Sequence, residues 1–249
     1  MIPARQAGAR TIAPRSASFD GSPTTKAAML DSLVRFTGES KVTPCKAPIP
    51  YKHAHRWVAE REAEALPPAV PVFVSQKAFV RFCLHAGSDP DNEVGGWLVG
   101  RWCVDDATAE QFVVVEAILP AIYTRHGSAF LTFTHDSQLF MLDLMEQRYP
   151  DKELVGWYHT HPRMSVFLSG YDTWLHEHFF PKPWQVALVI EPHSTTGGFF
   201  IRNVDGNLNP RLYYGFYELK DGRDRTVVHW HNMKREELAS LPAKEEQER

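Results

Sequence analysis

The chain has 249 residues, 43% of them apolar, and its 27 basic and 30 acidic side chains leave a formal charge of −3. That balance argues against a nucleic-acid partner recruited by net charge, and no run of about 18 apolar residues offers a membrane span. Cys45, Cys83 and Cys103 are odd in number and form no Cys-x-x-Cys pair. Neither a thiolate zinc site nor a disulfide framework is therefore expected, and a reducing, cytoplasmic setting is the default.

Residues 1–66 are expected to form an extension to the main domain, partly disordered and with short helices. Arg5, Arg10, Arg15 and Lys26 face a single Asp20 in the first 26 residues, and Pro3 and Pro14 interrupt any amphipathic helix. A flexible basic arm follows, without the apolar stretch of a secretory signal. Met29, Leu30, Leu33, Val34 and Phe36 suit one short helix. Residues 53–65 are rich in good helix formers, so a second helix is predicted there. His53-x-His55 lies within it, but no nearby Ser or Asp completes a site.

Pro67-Pro68 marks the predicted boundary of a domain spanning 67–220. Val70, Val72 and Val74 share one face of a short strand, and Pro71 suggests an edge position. Ser75 is a natural cap for a helix through Ala86, with Gly87 just beyond its end. A turn-rich Ser-Asp-Pro-Asp-Asn leads to Glu93 and a strand from Trp97 to Val104. Asp105–Thr108 reads as a hairpin connection to Gln111–Leu119, where Phe112 and Val114 face one way and Val113 and Val115 the other. Residues 120–128 are predicted as a loop, followed by a strand at 129–134 and an amphipathic helix to about Arg148. Strands are expected at 154–161, 185–190, 199–202, 212–219 and 226–230. A C-terminal part, 221–249, would hold the last of these strands and a charged, frayed helical tail. No strict strand–helix alternation and no internal repeat is visible. The class is therefore α+β, an α/β/α-like sandwich around a mixed sheet.

Chemistry concentrates in residues 156–172. His159 and His161 lie one residue apart on a predicted strand, so both imidazoles project from one face. Pro162 ends regular pairing immediately afterwards. Ser169 is a natural helix N-cap, and Asp172 falls in that helix's first turn, where a carboxylate is favoured. Two imidazoles, one carboxylate and a water make an open, four-coordinate catalytic zinc site. An isolated His-x-His would more often be an ordinary pair of strand histidines; its coincidence with a strand, a loop and a helix start favours the metal.

This constellation resembles the JAMM (MPN-plus, JAB-domain) metalloproteases, whose pattern is His-x-His, seven residues, Ser, two residues, Asp, with a Glu far upstream. Here seven residues separate His161 from Ser169 and two separate Ser169 from Asp172. Glu93, in Asn-Glu-Val-Gly-Gly-Trp-Leu-Val-Gly-Arg, matches the upstream acid, and Gly96 and Gly100 fit the family's glycines. The resemblance covers roughly 72–219. Pro162-Arg163-Met164 departs from the Pro-Ser-Gly of the DNA-repair branch.

The resemblance implies a curved sheet of the cytidine-deaminase-like type flanked by helices, and Zn2+ held by His159, His161 and Asp172. It gives Glu93 the role of general base and acid, and Ser169 that of donor to the oxyanion. The substrate it implies is an isopeptide bond after the C-terminal glycine of ubiquitin or a ubiquitin-like protein. A linear Gly-Xaa bond is the alternative within the same chemistry, and a non-catalytic scaffold binding a modifier or conjugation partner is the alternative from another class. His176, one turn beyond Asp172, could face the metal, although such a residue more often stands behind it or is simply solvated. The metal helix is followed almost at once by the next strand, so the insertion typical of ubiquitin-specific relatives is short or absent. That compactness suits a bacterial member of a ubiquitin-like conjugation operon, whose partner would bind the N-terminal extension. Residues 120–128 are the expected grip on the modifier's tail.

Overall fold

The structure is a computed structural model that describes residues 43–121, 124–127, 130–133, 135–222 and 224–236. All of these fall within one compact unit, Arg35–Arg249. The elements in chain order are β1 (Cys45–Lys46), β2 (Ala54–Ala59), β3 (Val72–Ser75), α1 (Gln76–Ala86), β4 (Gly95–Val104) and β5 (Gln111–Pro120). Then come β6 (Thr124–Gly127), β7 (Phe130–Phe133), α2 (His135–Arg148), β8 (Glu153–Thr160), α3 (Gly170–Phe179), β9 (Val186–Glu191), β10 (Thr196–Phe200), β11 (Phe216–Leu219) and β12 (Met233–Glu236).

Ten strands form one mixed sheet in the order β10-β9-β8-β4-β5-β3-β11-β2-β12, with β1 also beside β4. The sheet is curved and nearly closed. Its inner strands read as almost continuous apolar runs because both faces are covered. On one face Phe79 and Phe82 of α1 pack with Leu98, Val113, Val115, Tyr158 and Leu188. On the other, Met141 of α2 and Leu175 of α3 pack with Trp97, Val99, Trp157 and Val189. Each fully buried aromatic or aliphatic side chain stabilises by roughly 1.5–3 kcal/mol, so packing rather than helix propensity holds these short helices. The expected sandwich around a mixed sheet is the fold observed.

Ser75 caps α1 by accepting the Ala78 N–H at 3.2 Å. Gly96 and Gly100 let β4 lie tight against β5. A Cβ at Gly96 would fall 2.2 Å from the Leu119 carbonyl oxygen, and one at Gly100 would fall 1.8 Å from that of Val114.

Several expectations are corrected. Residues 54–59, read as helix, are strand β2, paired antiparallel with β11 and β12. Alternating burial of His55, Trp57 and Ala59 outweighs the helix-forming composition. The sheet therefore reaches N-terminal of the expected domain start at 67. Pro71 does not mark an edge, because β3 lies between β5 and β11; Pro71 precedes the strand and its carbonyl accepts the Val113 N–H. The predicted loop at 120–128 contains β6, which forms a two-stranded hairpin with β7. Thr226–Trp230 makes no strand. Its start is held instead by the buried Glu218 carboxylate, which accepts from Thr226 Oγ1 and the Val227 N–H. The last strand is β12, where a frayed helix was predicted. The basic arm, the helix at 29–36 and the tail beyond 236 lie outside the described residues.

The cysteines also depart from expectation. Cys45 and Cys103 are direct partners in the parallel β1–β4 ladder and form a disulfide. Pairing across 58 residues is invisible to a search for close spacings. Disulfides stabilise typically by about 2–4 kcal/mol, largely by restricting the unfolded chain. Cys45→Ser should therefore lose about 2–4 kcal/mol in urea unfolding under oxidising conditions and nothing when a thiol reductant is present throughout. Equal stability of the two proteins in oxidising buffer would show that the bond does not form.

Candidate metal centre

β8 pairs antiparallel with β4 and parallel with β9, with His159 opposite Gly95 on one side and Val189 on the other. The His161 N–H continues the ladder by donating to the Ile190 carbonyl at 2.9 Å. Beyond Pro162 the chain turns sharply, with Arg163 at φ +57. That turn is fixed by the Glu191 carboxylate, which accepts the Arg163 N–H at 2.8 Å and also those of His193 and Ser194.

The chain then reaches α3, which begins with a reciprocal capping box. Ser169 Oγ accepts the Asp172 N–H at 3.1 Å, and Asp172 Oδ2 accepts the Ser169 N–H at 2.7 Å. This box turns the Asp172 carboxylate towards the strand. His159 Nε2 lies 3.4 Å from Asp172 Oδ1, His161 Nε2 lies 3.6 Å from Oδ2, and the two Nε2 atoms are 2.9 Å apart. All three residues are buried.

This group could hold a metal ion. Donors about 2.0–2.1 Å from a tetrahedral zinc stand about 3.3 Å from one another, close to the three distances measured. Tautomers agree as well. His161 Nδ1 lies 3.3 Å from the Ser165 carbonyl and donates to it, leaving Nε2 as a lone-pair donor to a cation. His159 Nδ1 is buried with no hydrogen-bond partner among the described residues, and its ring stacks on Trp157 at 4.6 Å. A shared cation satisfies both Nε2 lone pairs, which two neutral imidazoles cannot do for each other. The residues fit the metal.

Electrostatics bear on the same point. Burial pushes the Asp172 carboxyl up, but His159, His161 and Ser169 together outweigh it and hold the group well below the usual carboxylate range. His159 is shifted down, chiefly by burial. Glu93, only 3% exposed, is pushed up to about 7 by burial, with His161 lowering and Asp172 raising it. Glu93 stands two residues before β4, near enough to His161 and Asp172 for their charges to act on it. The five residues singled out from the sequence thus belong to β8, the start of α3 and the entry to β4.

His176 does not join the metal group. It is fully buried behind it, where its Nδ1 accepts the Trp157 indole N–H at 3.1 Å and its Nε2 lies 3.1 Å from Arg202 Nη1. Arg202 also donates to the carbonyls of Phe180 and Lys182 at the end of α3. Trp157, Glu191 and Arg202 were not singled out from the sequence. Glu191-Pro192 at a strand end was the visible signal for one of them; Arg202 has none, because its partners lie far away in sequence.

Two buried imidazoles and a carboxylate, carried by a strand and a capped helix of an α/β domain beside a buried acid, define a metal-site domain. Residues 69–180 match the family model described as JAB1/Mov34/MPN/PAD-1 ubiquitin protease. It is 28% identical over 152 residues to the 26S proteasome non-ATPase regulatory subunit 14 of Drosophila melanogaster, covering 61% of this chain and 48% of that one. It is 29% identical over 150 residues to the ubiquitin carboxyl-terminal hydrolase RPN11 of Saccharomyces cerevisiae, covering 56% and 47%. Against the COP9 signalosome complex subunit 5 of Caenorhabditis elegans the identity is 29% over 125 residues, covering 49% and 32%. The chain spans about half the length, or less, of these curated relatives. A solution structure of a protein from Desulfitobacterium hafniense aligns with a TM-score of 0.44 at 21% identity, over 64% of this chain and 99% of that one.

His176 carries a pH signature. Burial, then the charge of Arg202, lowers its pKa to about 3. The native ring is neutral, whereas the unfolded imidazole titrates near 6.5. The stability this group contributes is complete above about pH 6.5 and is lost as pH falls towards 3, by up to about 1.4 kcal/mol per pH unit. Metal-free His176→Gln should therefore show a flatter fall in unfolding free energy between about pH 6 and 4 than the parent. Identical slopes in urea titrations would show that the native ring takes up the proton.

Proposed function

We propose that this protein is a zinc-dependent peptidase acting on the bond that follows the C-terminal glycine of ubiquitin or a ubiquitin-like modifier. The observation that carries the proposal is the convergence of His159, His161, Asp172 and Glu93 within the stretch that matches the ubiquitin-protease family model. His159, His161 and Asp172 would hold the metal. When bound, zinc supplies a Lewis acid and lowers the pKa of water at the site to about 7.

The chain's own groups perform the remaining work. Glu93 takes the proton from the attacking water and returns it to the departing amine, a role suited to a carboxyl poised near neutrality. Ser169 already accepts the Asp172 N–H, so its hydroxyl hydrogen is directed outward to donate to the developing oxyanion. The bond broken is the amide C–N; water supplies OH to the glycine carbonyl and H to the lysine or α-amine. Similarity to a ubiquitin carboxyl-terminal hydrolase supports a modifier as substrate. No helix among the described residues is long and apolar enough to cross a membrane.

The β6–β7 hairpin is the proposed grip on the modifier's tail. Among the described residues β6 pairs only with β7, so its outer edge can take an extended peptide by backbone hydrogen bonding. Gly127 pairs with Phe130, and Gly127→Pro removes an N–H and restricts φ within that hairpin. The variant should keep its zinc but lose kcat/KM on a folded modifier fusion, chiefly through KM. Unchanged kinetics would remove the hairpin from substrate binding.

The central test is metal analysis combined with incubation of ubiquitin and ubiquitin-like fusions. One zinc per chain and chelator-sensitive release of the modifier are expected, with the metal lost on replacing both histidines. Glu93→Gln should retain zinc and lose about 10²–10⁴-fold in kcat. Protein without zinc as isolated and after zinc addition would leave the scaffold alternative in its place, and full activity of Glu93→Gln would remove Glu93 from proton transfer.

A further inference from the structure

Thr160, between the two histidines, is fully buried, and strand alternation turns its side chain away from the imidazoles. Besides its pairing with Ile190 of β9, its hydrogen bonds run to the segment that carries Glu93. The Thr160 N–H donates to the Val94 carbonyl at 2.8 Å, and the Val94 N–H donates back to Thr160 Oγ1 at 2.9 Å. The same hydroxyl reaches the Asn92 carbonyl in a longer contact of 3.5 Å. One side chain thus contacts the residues on both sides of Glu93, while its own backbone lies between the backbones of His159 and His161.

Glu93 has no regular strand pairing of its own, since β4 begins at Gly95. Other ties to this segment are surface contacts. Arg163 Nη2 meets Asp91 at 2.8 Å with both side chains about two-thirds exposed, and exposed pairs of this kind hold little. His193 Nε2 approaches the Pro90 carbonyl at 2.7 Å, also in an exposed position. Thr160 makes the buried ties, one from its backbone N–H to the Val94 carbonyl and one from its hydroxyl, and only the second depends on the side chain.

We propose that Thr160 is a positioning residue whose hydroxyl sets the location of Glu93 relative to the metal group. The inference rests on Glu93 being the general base, as argued above. Placement matters because a misplacement of about 1 Å in a reacting group can cost about 10²-fold in rate. It also explains a choice of side chain in chemical terms. Valine would fill the same volume but leave the Val94 N–H without its acceptor, whereas serine would keep that acceptor and lose only a methyl group.

The test compares Thr160→Val and Thr160→Ser in the full, zinc-loaded chain, using ubiquitin linked through its C-terminus to a fluorogenic amine and, separately, hydrogen exchange of the peptide covering 91–96. For Thr160→Val, zinc should stay at the parent level, kcat should fall about 10- to 100-fold with KM within about twofold, and the 91–96 amides should exchange at least about tenfold faster. Thr160→Ser should restore both readouts to within about threefold of the parent. Parent-like kcat and exchange in Thr160→Val would overturn the proposal. So would a serine variant as impaired as the valine one, since that result would assign the loss to packing. If the zinc-loaded parent itself does not cleave the probe, the hydrolase reading fails on that substrate, while the exchange comparison still decides whether Thr160 holds the Glu93 segment.

Discussion

The register between β8 and β4 is the constraint on which the site depends. Placing Gly95 opposite His159 brings the residues just before β4 alongside the end of β8, where the two imidazoles project. A slip of one residue would send both histidines to the α1 face and leave Tyr158 among α2 and α3. That slip is resisted on both sides. Trp157 and Val155 are buried in opposite cores, and β9 pairs with the same stretch from the other edge. The chemistry is therefore anchored by apolar packing several residues away from it.

Charge in the site follows from burial. Asp172 and Glu93 share a water-poor site, and two carboxylates there repel each other. The imidazoles and the capping box keep Asp172 ionised, while burial above all, with a smaller push from Asp172, raises Glu93 to about 7. A divalent cation at the two-histidine, one-carboxylate group would relieve the same imbalance. Asp172, proposed to hold metal, and Glu93, proposed to move protons, are thus separated by their surroundings, although both are carboxylates. The capping box contributes twice: it ends the backbone of α3 and it aims the ligand.

The grouping of His159, His161 and Asp172 was legible because each depends on local rules, whereas Glu93 stood out only through the family resemblance. Strand alternation places His159 and His161, a helix N-terminus places Asp172, and a proline stops the strand between them. The two faces of β5 and the Ser75 cap of α1 were legible for the same reason. Other features were not. β2 was hidden because its composition favours helix, and its two neighbouring strands lie more than 150 residues away. The Cys45–Cys103 bond, the Arg202 contacts at the end of α3 and the Glu218 carboxylate that holds Thr226 and Val227 all join distant parts of the chain. Thr160 was hidden differently: it stood inside the motif, and only its bonds to Val94 and Asn92 distinguish it from a spacer.

The two ends of the large sheet differ from the hairpin in how they meet a foreign strand. At one end β12 is short, and Lys234, Arg235 and Glu236 are exposed along it, a combination that discourages another chain from adding on. At the other end Phe199 of β10 is bridged by Tyr214, with hydrogen bonds in both directions, so the chain's own loop takes up part of that margin. Both margins thus work against self-association into ribbons. The outer edge of β6, on the strand pair that follows β5, has no strand partner among the described residues and differs in this from both margins.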